Sequence, residues 1–108
     1  MALDWQAVLQ DATSAALGVV QSKTPEIRDY LRQTADAHFE ALRSYGEARI
    51  TDQIDQQTFD SLMDDEKIVL HAEFMAVSIM VKAAAQKAAN AFVNSIMNAV
   101  KVALLALV

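Results

Sequence analysis

Residues 68–108 read IVLHAEFMAVSIMVKAAAQKAANAFVNSIMNAVKVALLALV. They contain neither Pro nor Gly, and Glu73 is their last acidic residue. Apolar side chains recur at helical spacing through Leu70, Phe74, Val77, Val81, Ala84, Ala88, Phe92, Ile96, Ala99 and Ala103, which predicts a deeply buried helix. Its polar face is narrow. Glu66, Glu73, Lys87, Asn94 and Lys101 share one seven-residue repeat, with Met80 in the remaining slot and Asn90 and Asn98 beside the line. From Lys87 onward these positions span an arc of roughly 80° on a helix that turns 100° per residue. An ordinary surface helix has the opposite proportions, with an apolar stripe a little over 100° wide. A helix this apolar must be surrounded on several sides by protein or by lipid.

Upstream, Asp55 is a candidate N-cap, and Ile54 with Phe59 has the spacing of a hydrophobic staple. Asp60, Asp64, Asp65 and Glu66 follow, where the helix dipole favours negative charge. No Gly, Pro or polar cluster stops this helix before the organising stretch. The apolar phase runs from Leu70 to Ala103 without a slip. The expectation is one long helix over residues 56–107, roughly 75–80 Å at 1.5 Å per residue. The alternative is a break near residues 87–90, with Asn90 capping a fourth helix.

Two earlier helices precede it. Asp4 can cap a helix over residues 4–21, with Leu3 and Val8 as its staple. Trp5, Val8, Ala12, Ala15 and Val19 make its buried stripe, and Gly18 weakens it without having to end it. Thr24 and Pro25 mark the next start, because Pro at the first helical position has no amide to leave unpaired. That helix extends to residue 44 or 50 with the stripe Ile27, Leu31, Thr34/Ala35, His38, Leu42 and Tyr45. Gly46 either ends it or weakens its last turns. Arg43 with Glu47 is among the i,i+4 pairs on its solvated face.

The chain has 108 residues, 54% hydrophobic, with two Gly, one Pro and no Cys. That composition predicts a single all-α domain over residues 1–108, a bundle of three helices with a long apolar third, or else four helices. Disulfides and thiolate metal sites are excluded. No basic segment followed by an apolar run opens the chain, so no signal peptide is expected and the expected location is cytoplasmic. Residues 1–73 carry six Lys or Arg and fourteen Asp or Glu, a net −8, while residues 74–108 carry +3 from Lys82, Lys87 and Lys101. A chain acidic overall is a poor partner for nucleic acid, whose binding rests on neutralised phosphates.

No motif names a reaction. There is no phosphate-binding glycine loop, and no Ser lies in a glycine-flanked turn. Di-metal bundles use a Glu-x-x-His pair, which is absent here. His38 and Glu40, like His71 and Glu73, sit two residues apart and so point about 200° away from each other. The two histidines are therefore expected to be half-buried and locally hydrogen-bonded, with no metal or cofactor. Met63, Met75, Met80 and Met97 are expected to fill gaps in the core. Asn90, Asn94 and Asn98 form either a solvent-facing edge or a polar seam in an oligomer.

The functional expectation is a small helical self-associating protein, structural or adaptor in role, without catalysis. Two shorter helices of about 27–40 Å cannot cover a third twice as long. The uncovered part would expose Phe92, Val93, Ile96, Met97, Val100, Leu104 and Leu105, and burying each is worth roughly 1.5–3 kcal/mol. Those seven residues are therefore the expected interface of a homo-oligomer, most simply a dimer. The alternative is a membrane-active protein acting through residues 74–108, whose run Ala88–Val108 has about the length that spans a bilayer but carries three Asn and Lys101.

Overall fold

The computed structural model describes residues 3–20, 25–76 and 82–106. Among them are four helices and no strand: α1 (Trp5–Gly18), α2 (Pro25–Ile50), α3 (Gln56–Met75) and α4 (Lys82–Ala106). The all-α class is as the sequence predicts. The Thr24 cap and the stripe positions Val77 and Val81 lie outside the described residues.

Local chemistry sets most of the helix ends. The Asp4 carboxylate accepts from the Ala7 amide at 3.2 Å, and the Asp55 carboxylate accepts from the Thr58 amide at 2.7 Å. Both staples close against the core: Leu3 and Ile54 are partly buried beside the buried Val8 and Phe59. α1 ends at Gly18, three residues before the expected end, and the Val20 amide turns back to the Leu17 carbonyl at 3.3 Å. α2 runs straight through Gly46 and stops at Ile50. Its end is a Schellman motif built without glycine. Asp52 sits at φ 62°, in the left-handed region that Asp tolerates better than most residues. The Gln53 amide then reaches the Ala48 carbonyl at 2.8 Å, and the Asp52 amide reaches the Arg49 carbonyl at 3.1 Å.

The helices run up, down, up, down. Tyr30 near the start of α2 touches Glu73 near the end of α3, and Arg49 at the end of α2 bonds Gln56 at the start of α3. Trp5 at the start of α1 packs edge-on against Phe39 of α2, with ring centroids 6.2 Å apart. Gln56 and Phe59 of α3 share a groove of about 330 Å³ with Met97, Val100 and Leu104 of α4. Consecutive helices are thus antiparallel neighbours. Among the described residues α1 and α3 do not touch, while α2 and α4 meet across the diagonal. α4 packs most extensively on α1, and both helices bury alanines: Ala12 and Ala16 on α1, and Ala85, Ala88 and Ala89 on α4. Small side chains there allow a close approach of the two helix axes.

The single long helix is therefore corrected. The described bundle measures 43 × 23 × 19 Å, too short for an unbroken helix of roughly 77 Å over residues 56–106. The break also lies earlier than residues 87–90. Ala76 is the C-cap of α3, and Asn90 is half-buried inside α4 instead of capping it. Residues 77–81, which read VSIMV, lie outside the described residues.

The core gathers one stripe from each helix, including Leu31, Leu42, Phe59, Phe74, Phe92 and Ile96, all essentially inaccessible. Gly46 holds the point where three helices converge. A Cβ there would lie 2.5 Å from the Trp5 ring and 3.1 Å from Val100 Cγ2. Gly46→Ala is accordingly expected to destabilise the fold by about 1–3 kcal/mol in urea unfolding, although alanine is the better helix former. An unchanged or raised midpoint would show that the Trp5 ring yields freely.

The Asp55 cap gives a pH dependence. The Thr58 amide bond holds this carboxyl below its ordinary value of 3.8. A depressed folded-state value means that the cap stabilises fully above the unfolded value and loses its effect as pH falls through the folded one. The Tm gap between wild type and Asp55→Asn is therefore expected to be constant near neutral pH and to narrow below 3.8. A gap that widens on acidification would contradict the cap's role.

Candidate functional site

The polar side chains that come together do so between α2 and α3. His38 projects from the edge of the α2 stripe, one residue before the buried Phe39. On α3, Glu66 and Glu73 lie seven residues apart, two turns along one face, so both meet the same strip of α2. His38 Nε2 lies 2.7 Å from Glu73 Oε2, and its Nδ1 lies 3.6 Å from Glu66 Oε2. The Tyr30 hydroxyl, two turns before His38 on α2, donates to the Glu73 carbonyl at 2.6 Å.

The cluster is half-closed to water. The His38 and Glu66 side chains are 20% and 14% exposed. Glu66 Oε2 is buried without a hydrogen bond, 3.6 Å being too long for one. Only an imidazolium has a donor for each carboxylate; a neutral ring with Nε2–H turned to Glu73 presents a lone pair to Glu66. The two ring nitrogens point at different carboxylates, so His38, Glu66 and Glu73 do not converge on one point where an ion would sit. Among the described residues, no group of three or more His, Asp or Glu side chains is arranged to hold a metal.

Sequence spacing pairs these residues differently. The 200° separation holds: Glu40 points away to Arg43 at 3.8 Å, and Glu73 leaves His71 for His38. The expectation of purely local hydrogen bonds fails, since His38 bonds a residue on another helix. His71 Nε2 is buried without a hydrogen-bond partner. The signal for the cluster is present in the heptad spacing of Glu66 and Glu73 and the eight-residue spacing of Tyr30 and His38. Neither pattern says which helix lies opposite.

The residues expected at an oligomer interface are placed mostly inside one chain. Phe92, Val93, Ile96 and Val100 are buried, and Met97 and Leu104 are partly buried against the core. Leu105 alone among the seven is exposed, at 65%. The reason is the fourth helix: a hairpin of α3 and α4 lets α1 and α2 cover a helix that would otherwise outrun them. The asparagine stripe faces outward from this bundle, with Asn94 and Asn98 exposed and Asn90 half-buried. Exposed apolar side chains gather instead on the outer face of α3, where Ile68, Ala72 and Met75 follow at helical spacing beside Val69. Val102 and Leu105 are exposed near the opposite end of the bundle, on the last turns of α4.

Comparison with known protein families, with curated proteins and with solved structures finds no match.

His38→Ala is expected to cost about 1–3 kcal/mol, because it removes the 2.7 Å bond to Glu73 and the ring that faces the buried Glu66 oxygen at 3.6 Å. Adding Glu66→Gln should recover part of that loss, so the two effects will not sum in a double-mutant cycle. An effect of His38→Ala within about 0.5 kcal/mol of zero would mean that the cluster contributes nothing to α2–α3 docking.

Proposed function

We propose that this small all-helical protein works by self-association, in a structural or adaptor role and without catalytic activity. The observation that carries it is the outer face of α3. Its first half shows Ser61, Asp64 and Asp65 to solvent, and its second half shows Ile68, Val69, Ala72, Met75 and Ala76. Ile68 is 68% exposed, more than any other large apolar side chain described. Isolated surface hydrophobes need no explanation, but a run at positions i, i+4 and i+7 is a helix-pairing stripe.

A second copy is the occupant that the charges favour. Two copies of α3 laid antiparallel across Ala72 bring apolar half against apolar half, as a two-fold contact requires. The start of α4 lies at the apolar end of α3, and Lys82 and Lys87 are exposed there. In the antiparallel pair these lysines fall beside the Asp60, Asp64 and Asp65 end of the partner's α3. The acidic and basic halves of the chain then complement each other across the contact, which fixes direction more than it adds affinity. The interface expected from the sequence moves accordingly, from the buried face of α4 to the outer face of α3.

A second reading rests on α4, which by length and composition alone qualifies to cross a bilayer. Its apolar face is already occupied by three helices, so insertion would require the bundle to open.

Light scattering over a concentration series is expected to give a dimeric mass for wild type and a monomeric mass for Ile68→Glu, with unchanged helical content. A wild type that remains monomeric at high micromolar concentration would overturn the proposal. Flotation with liposomes at the expense of the soluble dimer would favour the membrane reading.

A further inference from the structure

We infer that Met75 is an oxidation site for peroxides and that its sulfoxide switches off the pairing of α3 with α3, an inference that rests on the outer-stripe contact proposed above. Three methionines fall within the described helices, and their surroundings differ. Met63 is fully buried in the core. Met97 is partly buried against the core and lines the groove it shares with Phe59 and Val100. Met75 is 41% exposed, on the last turn of α3. Peroxide reaches a thioether from water, so the exposed sulfur reacts ahead of the buried ones. The chain has no cysteine to consume the oxidant first.

With hydrogen peroxide the step balances without a further reactant. A sulfur lone pair of Met75 attacks one peroxide oxygen, and the S–O bond forms as the O–O bond breaks. The sulfur is oxidised by two electrons. The departing hydroxide takes the proton of the transferred hydroxyl and leaves as water. A flexible apolar side chain thereby becomes polar and chiral. The bundle tolerates this change, because Met75 is not part of the buried core and the sulfoxide stays in water. The contact between copies does not. Ile68 and Met75 stand seven residues apart on one line of α3, four before and three after Ala72. In the antiparallel pair centred on Ala72, each Met75 lies against the Ile68 of the other copy, so the two-fold contact contains this pair twice. Oxidised, both ends of the stripe would bury a sulfoxide oxygen facing apolar side chains, with no donor to satisfy it.

The coupling runs both ways. Pairing covers the sulfur, so the monomer is the form that reacts, and concentrated protein shields its own Met75. The oxidised chain stays apart with its sulfoxide open to water, where a methionine sulfoxide reductase can return it to the thioether.

Wild type, Met75→Leu and Ile68→Glu are treated with dilute hydrogen peroxide, mapped by peptide mass spectrometry and measured by light scattering. In monomeric Ile68→Glu, Met75 is expected to gain oxygen roughly tenfold faster than Met63 or Met97. In wild type that rate should fall as protein concentration rises. The dimer dissociation constant of oxidised wild type should rise by about tenfold or more at unchanged helical content, and return after treatment with the reductase. Met75→Leu keeps the other four methionines and should pair equally well before and after peroxide. Met63 or Met97 reacting as fast as Met75 would overturn the site. A dimer that persists with Met75 fully oxidised, or a Met75→Leu dimer that dissociates in peroxide, would remove the switch and leave the outer-stripe pairing standing. A wild type that is monomeric before any peroxide is added would remove both.

Discussion

The burial of α4 is the constraint on which the rest of this bundle depends. From Ala85 to Ala103 the helix buries eight Ala, Phe, Val and Ile side chains on one broad face. Between those two residues, Gln86, Lys87, Asn94, Asn98, Lys101 and Val102 are the positions left exposed. A helix this apolar needs neighbours on three sides, and α1, α2 and α3 supply them. The last turns of α4, from Met97 to Leu104, share a groove with Gln56 and Phe59 of α3. The convergence at Gly46 follows from the same requirement. With Trp5 from α1 and Val100 from α4 both pressed on α2, there is no volume left for a Cβ.

The contact between α2 and α3 solves a different problem. Together these helices carry most of the acidic charge, and each has only a single apolar stripe to offer. Their seam is completed by Tyr30, His38, Glu66 and Glu73, with the His38 ring facing two carboxylates on one face of α3. The net stability it adds is small, because desolvating Glu66 offsets much of what its attraction to His38 gains. Its geometric effect is clearer. Glu66 and Glu73 can both face His38 at only one rotation and one register of α3 against α2. The cluster thus selects among dockings that the apolar stripes alone would leave nearly equivalent.

Features decided by near neighbours along the chain are legible in the sequence. Asp4 and Asp55 read as caps because a carboxylate three residues before a free amide has few other uses. Pro25 opens a helix, both staples close, and most stripe positions become core. What the pattern leaves open depends on which helices meet. His38 finds Glu73 at a separation of 35 residues, and no local spacing encodes that. The hairpin is hidden for a sharper reason. Breaks are usually announced by Gly, Pro or a change of phase, and between Phe74 and Phe92 there is none. The Schellman end at Asp52 is equally hard to see, because the chain spends no glycine there and places its one mid-helix glycine, Gly46, at a packing contact instead.

That hidden break also explains why pattern alone does not separate the number of helices from the number of chains. An apolar line that keeps phase across a turn is satisfied by a hairpin within one molecule and by a straight helix shared between two. The side chains that argue for a dimer, from Phe92 to Leu104, are covered in the one-chain bundle by the same kinds of neighbours a partner would bring. Burial energy is therefore nearly silent on the choice. What remains is the small difference between turning the chain after Ala76 and the entropy lost when two molecules become one. Neither Gly nor Pro lies between Phe74 and Phe92, so no local signal in the sequence marks the hairpin. It is favoured because a tethered α4 always has its slot within reach. A sequence with glycine at that turn would commit to the hairpin, and one with five alanines would commit to the straight helix. This chain has neither, and its hairpin rests on the burial of α4 against the other helices of its own bundle.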